Sequence, residues 1–141
     1  MKDRREIIEM LHREACSCVI VVGDKVRLCY ERGVKDLLRL LNEEPDMLNG
    51  AFVADKVVGK GAAALMVLGG VSSVYADVVS RPALGLFEDA DIEIDYGICV
   101  PNIINRTGTD ICPVEKLCAD AVTAHECLSL IEKFISEKTI L

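Results

Sequence analysis

The sequence predicts an α/β fold: a three-layer α/β/α sandwich around a mixed sheet of four or five strands that begins with an antiparallel hairpin. Two observations carry this. A buried-type run, Cys18-Val19-Ile20-Val21-Val22, is followed by the two-residue turn Gly23-Asp24 and by a second extended segment, Lys25 to Tyr30, which is the pattern of a tight hairpin. Helical and extended patterns then alternate to the end of the chain, the order that places helices on both faces of a sheet. With 141 residues and no internal repeat, linker or low-complexity segment, residues 1–141 read as one domain.

Taken in order, Asp3 to Glu14 carries Ile7, Ile8 and Leu11 at helical spacing and predicts an amphipathic helix. The hairpin follows, its second strand ending at Gly33. Val34 to Asn42 predicts a helix through Val34, Leu37, Leu38 and Leu41, closed by Glu43-Glu44-Pro45-Asp46. Ala51 to Ala54 is a short apolar approach to Asp55. Asp55 is expected to N-cap a small-sided helix, Lys56 to Leu68, which ends at Gly69-Gly70. Ser73 to Val79 predicts a strand, Arg81 to Ala90 a short helix with Pro82 at its start, and Ile92 to Pro101 another strand. Asn102 to Ile111 is a polar loop, and Cys112-Pro113 opens a helical tail to about Lys138, broken near Thr123.

Composition narrows the function classes. The chain is 51% hydrophobic and 4% aromatic, without Trp, so its core is built from Val, Ile, Leu and Ala. Mean hydropathy is +0.31. The net charge is −7 and the basic residues are scattered, which argues against a nucleic-acid footprint and against binding to anionic lipid. Met1 to Glu6 lacks the apolar core of a signal peptide, and the most membrane-like window, Val57 to Ala76, is interrupted by Lys60 and four glycines. Seven cysteines without an export signal read as reduced thiols of a cytoplasmic protein.

The site argument starts from Gly50 to Ser80, nearly all apolar or small, yet carrying Asp55, Lys56 and Lys60 close together. Charges there lose hydration on folding unless they are paired or reach a solvated cleft. At a helix start, Lys56 would have its ammonium disfavoured by the dipole and could serve as base or nucleophile, with Lys60 four residues on along the same face. The plain alternative is an N-cap with snorkelling lysines. Cys112-Pro113-Val114-Glu115 has capping-box spacing, with Cys where Ser or Thr usually stands. Free amides and Arg106 would stabilise a thiolate there, and Glu115 would oppose it. Asn105-Arg106-Thr107-Gly108 offers donors for a carboxylate or phosphate and is equally a run of turn formers.

Four segments taken together resemble a small prokaryotic family of unknown function with the cytidine-deaminase-like fold. They are Ala54-Asp55-Lys56-Val57-Val58-Gly59-Lys60, Val74-Tyr75-Ala76 leading to Ser80, Asn105-Arg106-Thr107-Gly108, and Cys112-Pro113-Val114-Glu115. The resemblance spans roughly Cys16 to Lys116. It implies a ligand cleft at the start of the first central helix, near Asp55 and Ser80. Zinc deaminases place His or Cys two residues before a Glu at that helix start and Pro-Cys-x-x-Cys at the next. This chain reads Asp55-Lys56-Val57 and Ser80-Arg81-Pro82-Ala83 instead, so neither a metal nor a cofactor is expected.

His12-Arg13-Glu14 with Cys16 and Cys18 has the ingredients of such a site but too little chain between them, and reads as a surface helix end with buried thiols. His125-Glu126-Cys127 lacks a second ligand pair, and Gly59-Lys60-Gly61 lacks the remainder of a P-loop. The expectation is therefore a small-molecule protein, with a polar and nucleoside-like ligand on fold analogy. Its metal-free group transfer or hydrolysis would use Asp55, Lys56 and Cys112, and Lys60, Ser80, Asn105, Arg106 and Glu115 would contact the ligand. The alternatives are a thiol or sulfur carrier centred on Cys112, and a non-catalytic regulatory or assembly module. The high apolar fraction also suggests a homodimer.

Overall fold

The computed structural model describes residues 3–31, 34–105 and 107–140, with side chains described to 137. The expected end of the hairpin at Gly33 lies outside them. Helix α1, Arg4–Arg13, starts at Asp3, whose carboxylate accepts from the Glu6 amide. Strands β1, Cys18–Val22, and β2, Lys25–Cys29, form the hairpin. Helix α2 is Lys35–Glu43, followed by a 3-10 turn at Pro45–Met47. Then come β3, Phe52–Val58, α3, Lys60–Gly69, β4, Ser73–Ser80, α4, Arg81–Asp89, and β5, Glu93–Val100. Helices α5, Pro113–Cys118, and α6, Ala124–Ile140, close the chain, with the break falling where expected near Thr123. Thr123 caps that restart, its hydroxyl accepting from the Glu126 amide and donating to the Glu126 carboxylate, which also accepts from the Val122 amide.

The five strands form one mixed sheet in the order β2-β1-β3-β4-β5. β1 pairs antiparallel with β2 and β3, whereas β3, β4 and β5 run parallel and so share their carboxyl ends at Val58, Ser80 and Val100. The predicted α/β class, the hairpin start and the strand number all hold. One face is the main core, where α2, α3, α4, α5 and α6 bury residues such as Leu37, Leu65, Phe87 and Ile131. α1 covers part of the other face with Ile7 and Leu11 over Val19, Val21 and Ala54. Gly61 lets α3 pack closely on its neighbours: a Cβ there would overlap Val114 and press on Ile131.

The parallel strands share an irregularity. In β3 the core-facing residues are Val53 and Val58, in β4 Val74, Ala76 and Val79, and in β5 Ile94 and Cys99. Strict alternation would instead pair Val53 with Val57, Val74 with Val78, and Ile94 with Ile98. Each strand therefore changes parity once, and the ladders skip the same row, Lys56, Asp77 and Gly97. Gly97 fits this crowded row because a Cβ would lie 2.7 Å from the Asp77 carbonyl oxygen. Among the described residues no helix is long and apolar enough to cross a membrane.

Candidate functional site

The expected start of the central helix is displaced. Asp55 and Lys56 belong to β3, and α3 begins only at Lys60, after Gly59. Asp55 is therefore no N-cap, and Lys56 and Lys60 do not share a helix face. The reason is local: Val57 and Val58, both β-branched, continue the strand beyond the two charges. Asp55 is 8% exposed and lies opposite Cys18 on β1, which in turn lies opposite Cys29 on β2. Burial pushes the Asp55 carboxyl up to about 7, opposed by its bonds from the Val57 and Lys56 amides and reinforced by Asp77. The Cys18 thiol is raised as well, by its hydrogen bond with Cys29 and then by burial.

Lys60, Ser80 and Glu115 do meet, but deep inside. Glu115 is 2% exposed, and its Oε1 accepts from the Lys60 amide at 2.7 Å and the Ser80 hydroxyl at 3.1 Å. Its Oε2 accepts from the Ile103 amide at 2.5 Å. A carboxylate supplied by α5 thus stands at the amino terminus of α3, beside that of α4, where the helix dipoles favour negative charge. Ser80 also caps α4 by accepting from the Ala83 amide. The Lys60 ammonium donates to the carbonyls of Ala119 and Ala121 just after α5. The capping box expected at Cys112 does not form: the Cys112 side chain makes no cap bond, and Glu115 turns to α3 instead.

Asn105 organises its own loop, its carbonyl oxygen accepting from Thr107, Thr109 and Asp110. Arg106 lies outside the described residues. Cys112 is half-buried, as is Cys99, while the other five cysteines are buried.

A cleft of about 500 Å³ opens at the carboxyl ends of β3, β4 and β5, lined by Val57, Val78, Val100, Pro101, Asn102, Ile103, Ile104 and Ile111. In open α/β sheets this is where ligands bind. None of the expected site residues lines it, although Lys56, Asn105 and Cys112 each adjoin a lining residue in the chain. A smaller recess of about 270 Å³ lies between α2 and α6, on a charged surface away from the strand ends.

Sequence reasoning missed one polar group. His12, read as a surface helix end, reaches from α1 to β4, where its Nε2 lies 2.8 and 3.0 Å from the Asp77 carboxylate oxygens. The Tyr75 hydroxyl donates to the same carboxylate at 2.8 Å, and this bond raises the phenol to about 12. The signal was the spacing Tyr75-x-Asp77, which puts both on one strand face. Lys56 forms no ion pair among the described residues and lies close enough to Cys16 to favour its thiolate, although burial raises that thiol overall.

An α/β sandwich with a carboxylate built into its helix starts and an apolar cleft at its strand ends defines a small single-sheet α/β protein. The chain belongs to the family described as Domain of unknown function (DUF1893), which matches residues 6–135. It is similar to the crystal structure of a DUF1893 family protein from Thermotoga maritima, with a TM-score of 0.83 and 23% sequence identity. That similarity covers 94% of this chain and 92% of the other, and it establishes the shared fold. No curated protein matches the chain.

Proposed function

We propose that this protein binds a small planar heterocycle of the nucleoside class in the cleft at the carboxyl ends of β3, β4 and β5. The apolar lining suits the face of such a ring, and the Asn102 amide is the polar lining side chain suited to its hydrogen-bonding edge. The observation that carries the reading is the Glu115 carboxylate. It takes the Lys60 and Ile103 amides and the Ser80 hydroxyl, so the chain's own side chain fills the space between the two helix starts. Lys60, Ser80 and Glu115 are engaged internally and are left out of the proposed contact surface, and Asp55 is buried beside Cys18. Lys56 and Cys112, at the margins, are the groups left to act on a bound ligand. The strand order supports kinship with the cytidine-deaminase-like fold, and the reading is of binding without a metal-activated water.

The test is a two-dimensional NMR titration with adenosine, cytidine and inosine. Shifts should gather on Val57, Val78, Asn102 and Ile104 and vanish in Val78→Trp, which fills the cleft. Shifts centred on Lys60 and Ser80, or none with any of the three, would defeat the reading.

A thiol-carrier role retains one supporting observation, the partial exposure of Cys112. Seven free thiols fit a reducing cytoplasm. Self-association as a homodimer belongs to the same proposal, supported by the exposed Val57, Tyr96, Ile98 and Ile104.

A further inference from the structure

We infer that β5 is the dimerisation edge: two copies of the chain join their sheets by antiparallel pairing of β5 with β5, about a two-fold axis normal to the sheet. This rests on the homodimer part of the reading above and adds its surface and symmetry. β5 has β4 on one side only. Among the described residues, no backbone hydrogen bond outside the ladders involves residues 93–100, so the outer amides and carbonyls of the strand are open. Beside them Tyr96 is 43% and Ile98 57% exposed.

The two edges of the sheet are built differently. β2 has five residues, carries Lys25 and Arg27, and is tied to the chain behind it by Arg27 on Glu44 at 2.9 and 3.0 Å. A short cationic edge is how a monomeric sheet refuses another strand. β5 has eight residues and neither Lys, Arg nor Pro. Its charges, Glu93 and Asp95, lie in the first half, and Tyr96 to Val100 has none.

That asymmetry selects a second copy as the occupant. A strand pairing with its own copy across a two-fold axis must run antiparallel. Each acidic half then passes the uncharged half of its mate, so Glu93 and Asp95 never face their counterparts, an arrangement that like charges favour. Arg4 already pairs with Glu93 at 2.7 Å, which lowers the remaining repulsion at that end. The same axis keeps both clefts on one face of the joined sheet, at opposite ends of the paired strands.

Sedimentation velocity on the wild-type chain, from low to high micromolar concentration, should show a reversible dimer. Ile98→Lys should weaken it by at least about tenfold, whereas Val26→Lys, on the β2 edge, should leave it unchanged. Hydrogen exchange on the wild-type chain supplies the variant-free readout: the outward amides of β5 should gain protection as concentration rises. A wild-type monomer throughout the range overturns both the homodimer and the edge assignment. A dimer that survives Ile98→Lys, or whose β5 amides exchange freely at high concentration, overturns the edge assignment alone.

Discussion

Lys60 and Glu115 are buried side by side, yet their charges do not meet. Glu115 takes the backbone amide of Lys60 at 2.7 Å, while the ammonium of Lys60 turns to the carbonyls of Ala119 at 3.2 Å and Ala121 at 2.5 Å. Each residue therefore satisfies a helix end with a charge: Glu115 the start of α3, Lys60 the chain leaving α5. α3 and α5 are held by a reciprocal exchange of end groups.

Glu115→Ala strands the Lys60 and Ile103 amides and the Ser80 hydroxyl in the interior. The expected loss is roughly 3 kcal/mol or more in urea unfolding, with Glu115→Gln losing less because one acceptor oxygen remains. A Glu115→Ala variant with wild-type stability would show that the network holds nothing.

Asp55 makes stability depend on pH. Its carboxyl lies at about 7 in the folded chain against an ordinary 3.8, so the folded state binds the proton more tightly than the unfolded one. The stability contributed by the protonated acid is complete below about 4, declines as pH rises, and is gone above about 7. Asp55→Asn removes this titration. The stability of the variant relative to wild type should rise between pH 4 and pH 8, by up to about 4 kcal/mol. A difference independent of pH, read from chemical unfolding across that range, would refute the assignment.

Tyr75 should ionise only well above the ordinary phenol range. Its phenol donates to the Asp77 carboxylate, which favours the neutral form and places it at about 12. In Asp77→Asn the group should titrate nearer the ordinary 10 in an ultraviolet pH titration. Loss of the partly exposed His12 contact in the same variant should change stability by only about 1 kcal/mol.

Brief alkylation at neutral pH, read by mass spectrometry, should modify Cys99 and Cys112 first. Cys118, which burial holds up at about 12, and Cys18 should react only on unfolding. Early modification of Cys18 or Cys118 would contradict the described packing.

Much of the architecture was legible because the hairpin and the helix restart at Thr123 rest on local chemistry that sequence states directly. The error at Asp55 has a physical source. Asp is both a favoured N-cap and an uncommon strand residue, and the glycines and alanines that follow fit a helix from Lys56 as well as one from Lys60. Only the β-branched Val57-Val58 pair pointed the other way. The partners of Glu115 were illegible because its capping-box spacing suggested a local bond, whereas the bonds it makes run to residues 60, 80 and 103. Pairings over such separations leave no periodic trace.

The parity change shared by β3, β4 and β5 ties the three strands into a single unit of tolerance. Shortening any one of them by a residue at Lys56, Asp77 or Gly97 would restore regular pleating in that strand while its neighbours kept theirs broken. Residues on either side would keep their faces, but the row the three strands share would be missing from one of them. A change of length in this half of the sheet keeps the ladders in step only when all three strands change together.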